Sequence, residues 1–171
     1  KPQSPYAEFK LKSEFMLSEM GSESGLNFIN LRLGTIFGKS IGMRFHTAVN
    51  KFCLDAILGD VIFVWRGAFR LYRPYLSLGD AFTMIKFIIN KNYFDKEIYN
   101  VLTNNYTVKD IVEIIKKFRP KISIKFVKSK IINQLSYKVS DKKIRNKGIF
   151  KKRDLTNDIK QTLKLFNNIN N

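Results

Sequence analysis

Hydrophobic spacing divides the 171-residue chain into alternating helical and extended stretches. Ser4-Pro5 reads as an N-cap followed by the first helical residue. The helix it opens is expected to run to about Met20, with Phe9, Met16 and Met20 among its apolar positions. Gly21 and Gly25 bracket a polar break. Residues 26–33 form a largely apolar run of strand length, the pattern of a strand buried on both faces. Gly34, Gly38 and Gly42 follow at a spacing of four, which is not G-x-G-x-x-G and gives no phosphate-loop signal.

Residues 47–58 predict a helix with Val49, Phe52, Cys53, Ala56 and Ile57 on one face. Gly59 stops it. Residues 61–64 read as a short strand, and Asp80 is expected to cap a helix reaching about Asn90. Residues 98–101 form another short apolar strand. Thr107 and Asp110 resemble a capping box that opens a helix to about Phe118. Residues 122–127 alternate apolar and polar, as a half-exposed strand does. Residues 136–139 read as a last extended piece. Ser140 is expected to cap a short helix closed by Gly148, a final helix spans about 155–167, and residues 167–171 are expected to fray. Strands alternating with helices indicate an α/β fold with some parallel sheet. No internal repeat or long linker interrupts the chain, whose length suits one domain or most of one.

Composition narrows the classes. Hydrophobic residues make up 44% and aromatics 13%, enough for a real core and against general disorder. A single cysteine, Cys53, excludes an internal disulfide framework and fits a reducing, cytoplasmic setting. Cys53 lies on the apolar helix face and reads as core packing. Apolar runs are far shorter than the roughly 20 residues of a spanning helix, so no membrane partner is expected. No signal peptide is visible. The chain opens on Lys1 rather than Met, so its natural start is expected to lie upstream.

The net charge of +17 and pI near 10.0 raise nucleic-acid binding as one reading. The basic residues are mostly Lys, spread along the whole chain, and Asn and Ile are abundant, as AT-rich coding produces. Nucleic acid is therefore not the expected partner, although an anionic ligand is compatible. Lys142, Lys143, Arg145, Lys147, Lys151, Lys152 and Arg153 read as a solvated face. His46 is the only histidine, which excludes a metal site built from several His or Cys ligands. It reads as a loop-to-helix residue.

Tyr6 and Lys10 form Tyr-x-x-x-Lys at the start of the first helix. Residues four apart share a helical face, so both side chains can enter one site. A tyrosine of reference pKa near 10 is a poor base at neutral pH. A neighbouring ammonium favours the phenolate and lowers that value. Such a tyrosine can take a proton from a sugar hydroxyl while hydride leaves the same carbon. The lysine can also donate to ribose hydroxyls.

The surrounding segments carry a resemblance. Ser4-Pro5-Tyr6-Ala7 through Lys10 resembles the active-site helix of extended short-chain dehydrogenase/reductases. Leu31-Arg32-Leu33-Gly34-Thr35-Ile36-Phe37-Gly38 is similar to the segment after that helix. Met43-Arg44-Phe45 and Val49-Asn50-Lys51-Phe52 are similar to "MRFD…VVN-x-F". Arg73-Pro74-Tyr75-Leu76-Ser77-Leu78-Gly79-Asp80 resembles "RP-[FY]-[IL]-x-[VL]-x-D". Tyr99-Asn100-Val101 with Thr107-Val108, and Ser136-Tyr137 with Lys143 to Gly148, continue the same order. Together they resemble the NAD-dependent epimerase/dehydratase family over nearly the whole chain.

The resemblance implies the C-terminal part of a Rossmann-like fold plus its small α/β substrate domain. Residues 1–42 would end the cofactor domain, and 43–171 would be mainly substrate-binding. It implies an enzyme acting on a nucleotide-diphosphate sugar, of the UDP-glucose 4-epimerase type, with NAD or NADP as cofactor. Tyr6 would be the acid/base and Lys10 its partner, with Leu33 also at the cofactor. Thr35 stands where the family often has a substrate-contacting Asn, and Ser77 where many relatives carry His. Asn50 would meet the nucleotide, Arg73 the diphosphate through its guanidinium fork, and Arg44 is a second anion candidate. A homodimer is implied as well. The glycine-rich pyrophosphate loop does not occur between Lys1 and Asn171, so the chain alone is expected to be inactive. A non-catalytic basic remnant that binds nucleotide or nucleic acid is the alternative.

Overall fold

The computed structural model describes residues 2, 4–128, 136–148 and 154–167. Helix α1 (Pro5–Glu23) begins as its sequence dictates: Ser4 Oγ accepts from Ala7 N–H at 3.2 Å and Pro5 takes the first position. It runs past Met20, where Ser24 closes it by donating from N–H and Oγ to the Met20 carbonyl at 2.9 and 2.7 Å. Strand β1 (Asn30–Leu33) is shorter than the apolar run that predicts it. Strand β2 (Thr35–Phe37) follows at once, inside the stretch that reads as glycine-rich loop.

Helix α2 (Ala48–Leu58) buries Val49, Phe52, Cys53, Ala56 and Ile57, the predicted face. Strand β3 (Val61–Trp65) leads through one 3₁₀ turn, Arg66–Ala68, to strand β4 (Tyr72–Ser77). Helix α3 (Leu78–Asn90) is capped by Ser77, whose Oγ accepts from Asp80 N–H at 3.1 Å. Asp80 therefore does not cap α3. It lies in the first turn, 1% exposed, and its carboxylate accepts from Thr103 Oγ1 at 2.5 Å.

Strands β5 (Ile98–Val101) and β6 (Asn104–Thr107) precede helix α4 (Val108–Phe118), which carries the predicted capping box of Thr107 and Asp110. Strand β7 (Ser123–Val127), helix α5 (Lys142–Arg145) and helix α6 (Thr156–Asn167) complete the order. Ser140 does not cap α5. The preceding residue is Asp141, and the Ser140 carbonyl accepts from Asn100 Nδ2 at 3.0 Å. Residues 136–140 form no regular strand. Of the tail expected to fray, Asn167 still belongs to α6, and residues 168–171 lie outside the described residues, as do Lys151, Lys152 and Arg153.

Three parallel pairings, β1 with β5, β2 with β4 and β3 with β7, join one antiparallel pairing of β4 with β6. This is the α/β architecture with parallel sheet that the alternation predicts. Two apolar cores result. One gathers α2, α4, α6 and β3 around Cys53, Ile62, Ile111, Ile115 and Ile159. The other packs α3 through Ala81, Met84 and Ile88 onto Tyr99, Val101 and Ile144. Each fully buried aliphatic side chain contributes roughly 1.5–3 kcal/mol. Burial pushes the Cys53 thiol up to about 12, so it is no nucleophile at neutral pH. No helix among the described residues is long and apolar enough to cross a membrane.

Helix α1 is held differently, since Gly21 is its only buried residue. Glu14 reaches β1 and accepts both Arg32 Nε at 2.7 Å and Arg32 Nη2 at 2.5 Å. The Arg32 hydrogen bonds hold the Glu14 carboxyl below its ordinary range. A depressed native pKa stabilises the fold above the unfolded value of about 4.3, and the contribution is lost as pH falls through the native value. Glu14→Gln is expected to cost roughly 0.5–1 kcal/mol at pH 7 and nothing near pH 2, read as thermal melts of both proteins at the two pH values. Identical melts at pH 7 would remove this anchor from the account.

Candidate functional site

Tyr6 is the second residue of α1, placed there by the Ser4 cap. Lys10 follows one turn later on the same face, its Nζ 5.8 Å from the Tyr6 ring centroid. Glu14 is one turn further still and grips Arg32 on β1. The tyrosine-bearing side of α1 is thereby tied to the strand that ends at Leu33. Leu33 is 44% exposed and pairs with Val101. Tyr6 is 73% exposed, open to a ligand rather than packed into core.

Immediately after Leu33 the chain changes sheets. Gly34 N–H donates to the Val101 carbonyl at 2.9 Å, and Thr35 pairs with Tyr75 on β4. Thr35 opens onto a cleft of about 400 Å³. The end of the loop before α2 supplies His46 and Thr47, and α2 itself supplies Ala48 and Lys51. Phe63 and Trp65 of β3, with Ala68, Leu71 and Val127, make an apolar side, and β4 adds Arg73 and Tyr75. Among the described residues, no Asp or Glu lines the cleft.

Two of its cations are organised by neighbours. Lys51 Nζ bonds both Asp55 carboxylate oxygens, at 3.0 and 2.7 Å, one helical turn away. The Arg73 guanidinium lies 4.8 Å from the Tyr137 ring centroid. A concave site with an aromatic side and converging cations suits a ligand that joins a flat ring to an anionic group.

The structure thus brings Thr35 and Arg73 to one cleft. Asn50 does not join them. It is 3% exposed, its Oδ1 accepts from Gly38 N–H at 3.0 Å, and its Nδ2 donates to the Arg44 carbonyl at 3.1 Å. Both halves of the amide are occupied in fastening the 38–44 loop to α2. Arg44 is exposed and lines no part of the cleft; its contribution there is the carbonyl that also receives Thr47 Oγ1 at 2.9 Å. Residue reasoning missed His46, Lys51 and Trp65. Thr47, Ala48 and Lys51 share one face of α2 by their spacing, and that face is the available signal. Trp65 had none, since the last residue of a strand reads the same whether it packs or binds.

The model of the NAD dependent epimerase/dehydratase family matches residues 1–101. The chain belongs to that family. Solved structures agree on the fold. The UDP-glucose 4-epimerase of Thermus thermophilus, in complex with NAD, matches with a TM-score of 0.80 at 22% identity over 98% of this chain and 55% of that one. The dTDP-glucose 4,6-dehydratase of Bacillus anthracis, also with NAD, gives 0.80 at 18% identity over 98% and 53%. The L-threonine dehydrogenase of Phytophthora infestans gives 0.83 at 15% identity over 98% and 57%. The chain spans about half the length of these structures. Since an amino-acid dehydrogenase matches as well as two sugar enzymes, the likeness establishes the Rossmann-like family fold and leaves the substrate to the site.

The clamp assigned to Asn50 has a direct test. Asn50→Ala takes the side-chain acceptor from the Gly38 N–H and leaves the Arg44 carbonyl with only the Thr47 hydroxyl, and is expected to destabilise the chain by roughly 1–3 kcal/mol. Asn50→Asp, which keeps the acceptor and loses the donor, should fall between. Urea midpoints read both, and an unchanged midpoint for Asn50→Ala would return Asn50 to the list of ligand-contacting candidates.

Proposed function

We propose that this chain supplies the substrate cleft and the Tyr6–Lys10 pair of an NAD-dependent epimerase or dehydratase acting on a nucleotide-diphosphate sugar. The observation that carries the reading is the cleft itself, with Phe63 and Trp65 on one side and His46, Lys51 and Arg73 converging without an acidic residue. The aromatic side would hold the base. Arg73 and Lys51 would hold the diphosphate, and Thr35, at the junction with β1, would hydrogen-bond the sugar. Arg44 and Asn50 would act by shaping the loop before α2. Residues 1–42 would form the end of the cofactor domain, joined by β5 through its pairing with β1, and the remainder would mainly bind substrate.

Tyr6 would take the proton of the sugar hydroxyl undergoing oxidation, and Lys10 would favour the phenolate and bond the nicotinamide ribose. Bound NAD or NADP supplies the hydride acceptor. The exposed pair and the open end of β1 at Leu33 fit the nicotinamide end of such a cofactor. Its pyrophosphate finds no glycine-rich turn between Lys1 and Asn171, so that end would be held by the part of the fold that the chain does not span. The same part, together with a second copy in a homodimer, would cover Phe9, Met16 and Met20, which α1 leaves 71%, 60% and 49% exposed. The basic-remnant alternative loses support where the structure describes its charges. Lys143 bonds Glu97 at 2.6 Å, and Arg145 bonds Asp141 at 2.5 Å.

Calorimetric titration of the 171-residue chain with UDP, dTDP, GDP and CDP tests the reading. One of them is expected to give a saturable isotherm, weakened about tenfold or more by Arg73→Ala, as loss of a charge-assisted hydrogen bond dictates. NAD is expected to give none. A chain that ignores all four nucleotides but binds single-stranded oligonucleotides with a steep salt dependence would instead be the basic remnant. A micromolar NAD isotherm would contradict the division of the cofactor site.

A further inference from the structure

Residues 136–139 run beside β4 without forming a strand, yet they are fixed at one end to β4 and at the other to β6. Tyr72 N–H donates to Ser136 Oγ at 3.0 Å, and Tyr137 N–H donates to the Tyr72 carbonyl at 3.2 Å. Asn105 pins the far end twice, accepting Val139 N–H at 2.9 Å and donating to the Val139 carbonyl at 2.9 Å. Between these anchors the side chains interlock. Each segment carries a tyrosine followed by a cation, Tyr72-Arg73 and Tyr137-Lys138. Lys138 Nζ lies 4.0 Å from the Tyr72 ring centroid, and the Arg73 guanidinium lies 4.8 Å from the Tyr137 ring centroid. Neighbouring strand residues point to opposite faces, so the Arg73 contact is on the cleft face of β4 and the Lys138 contact on the other.

We propose that Tyr137 is a positioning residue: it orients the Arg73 guanidinium for the diphosphate, an inference that rests on the functional reading above. A guanidinium is planar, and its N–H groups point outward in that plane. An aromatic ring against a guanidinium restricts its rotation without itself occupying any of its N–H groups. A free arginine would lose rotamer freedom on binding, and one already held against a ring loses less. Tyr137 has the rigidity for this, because its own backbone is bonded to Tyr72 and its segment to Asn105. Lys138 has no such role, since it lies across β4 from the cleft.

The test uses the 171-residue chain and the nucleoside diphosphate that binds best among UDP, dTDP, GDP and CDP, with the corresponding nucleoside as control. Tyr137→Leu removes the ring and is expected to weaken diphosphate binding roughly two- to fivefold, the size of an exposed cation–π contact. Nucleoside binding should be unchanged. Tyr137→Phe keeps the stack and should restore wild-type affinity. In an Arg73→Ala background, Tyr137→Leu should have no further effect. Lys138→Ala breaks the reciprocal contact on the far face and should leave both affinities as they are, which separates positioning of Arg73 from general loosening of the segment. Should Tyr137→Leu fail to fold, Tyr137→Met serves in its place, with thermal melts confirming the fold. If Arg73→Ala weakens the diphosphate but loss of the ring does not, Tyr137 has no positioning role and the functional reading stands. If ring removal weakens nucleoside and diphosphate equally, or Lys138→Ala mimics it, the proposal fails as well. Failure of every nucleotide to bind, or indifference to Arg73→Ala, would overturn the functional reading together with this inference.

Discussion

Gly34 stands where the backbone of β4 leaves no room for a side chain. A Cβ placed there would lie 3.1 Å from the Pro74 carbonyl oxygen and 3.2 Å from its carbon. Both are tighter than ordinary van der Waals contact, and backbone cannot swing aside as a flexible side chain can. This approach lets the chain leave the β1–β5 pair and enter the β2–β4 pair within one residue. Arg32, two residues upstream, holds the helix of Tyr6 and Lys10. Thr35, one residue downstream, faces the cleft with Arg73. The Tyr6–Lys10 pair and the cleft are thus connected through a single close crossing. Any larger residue at position 34 would separate β2 from β4 and move Thr35 relative to Arg73.

The same crossing explains what the sequence reveals and what it hides. Helices α2 and α4 are legible because their buried residues recur at helical spacing, Val49 to Cys53 and Ala56 in one, Ile111 to Ile115 in the other. Their caps are local as well. Strands β2, β4 and β6 carry no comparable signal. β2 has three residues, too few for a period. The last four residues of β4 are all buried and include Pro74, which alternation rules do not read as a strand. β6 is Asn-Asn-Tyr-Thr, polar enough to pass for a turn, and becomes a strand only because β4 offers it partners from Tyr72 to Tyr75. Each depends on residues distant in sequence, and such pairing overrides local propensity.

The candidate site divides along the same line. That Tyr6 and Lys10 share one helical face is legible from their four-residue spacing. The motif around Arg73 singles that residue out, and the fold places it at the cleft. Asn50 carries equally good motif support, yet its amide is turned inward to Gly38 and Arg44. A short polar side chain at the start of a helix can serve a ligand or its own loop with the same hydrogen-bonding groups. The sequence shows those groups, and only the fold decides which way they face. His46 is the converse case, a loop residue without a distinguishing pattern that the start of α2 carries to the rim of the cleft.

The electrostatics of the chain follow from where its few acids stand. With 31 Lys and Arg against 14 Asp and Glu, most cations must go without an acidic partner. Exposed cations of that kind are solvated, mutually repelling and weakly ordered. Around the cleft the arrangement is tighter. Asp55 steadies Lys51 from one side while standing outside the lining itself. Tyr137 steadies Arg73 without adding any charge. Each device limits the motion of a cation yet places no carboxylate within the cleft, where it would repel an anion. A merely Lys-rich surface has no reason to leave its acids outside one concavity, nor to line that concavity with Phe63 and Trp65. The overall charge of the chain is therefore a poor guide to its ligand, and the local distribution around these residues is the informative quantity.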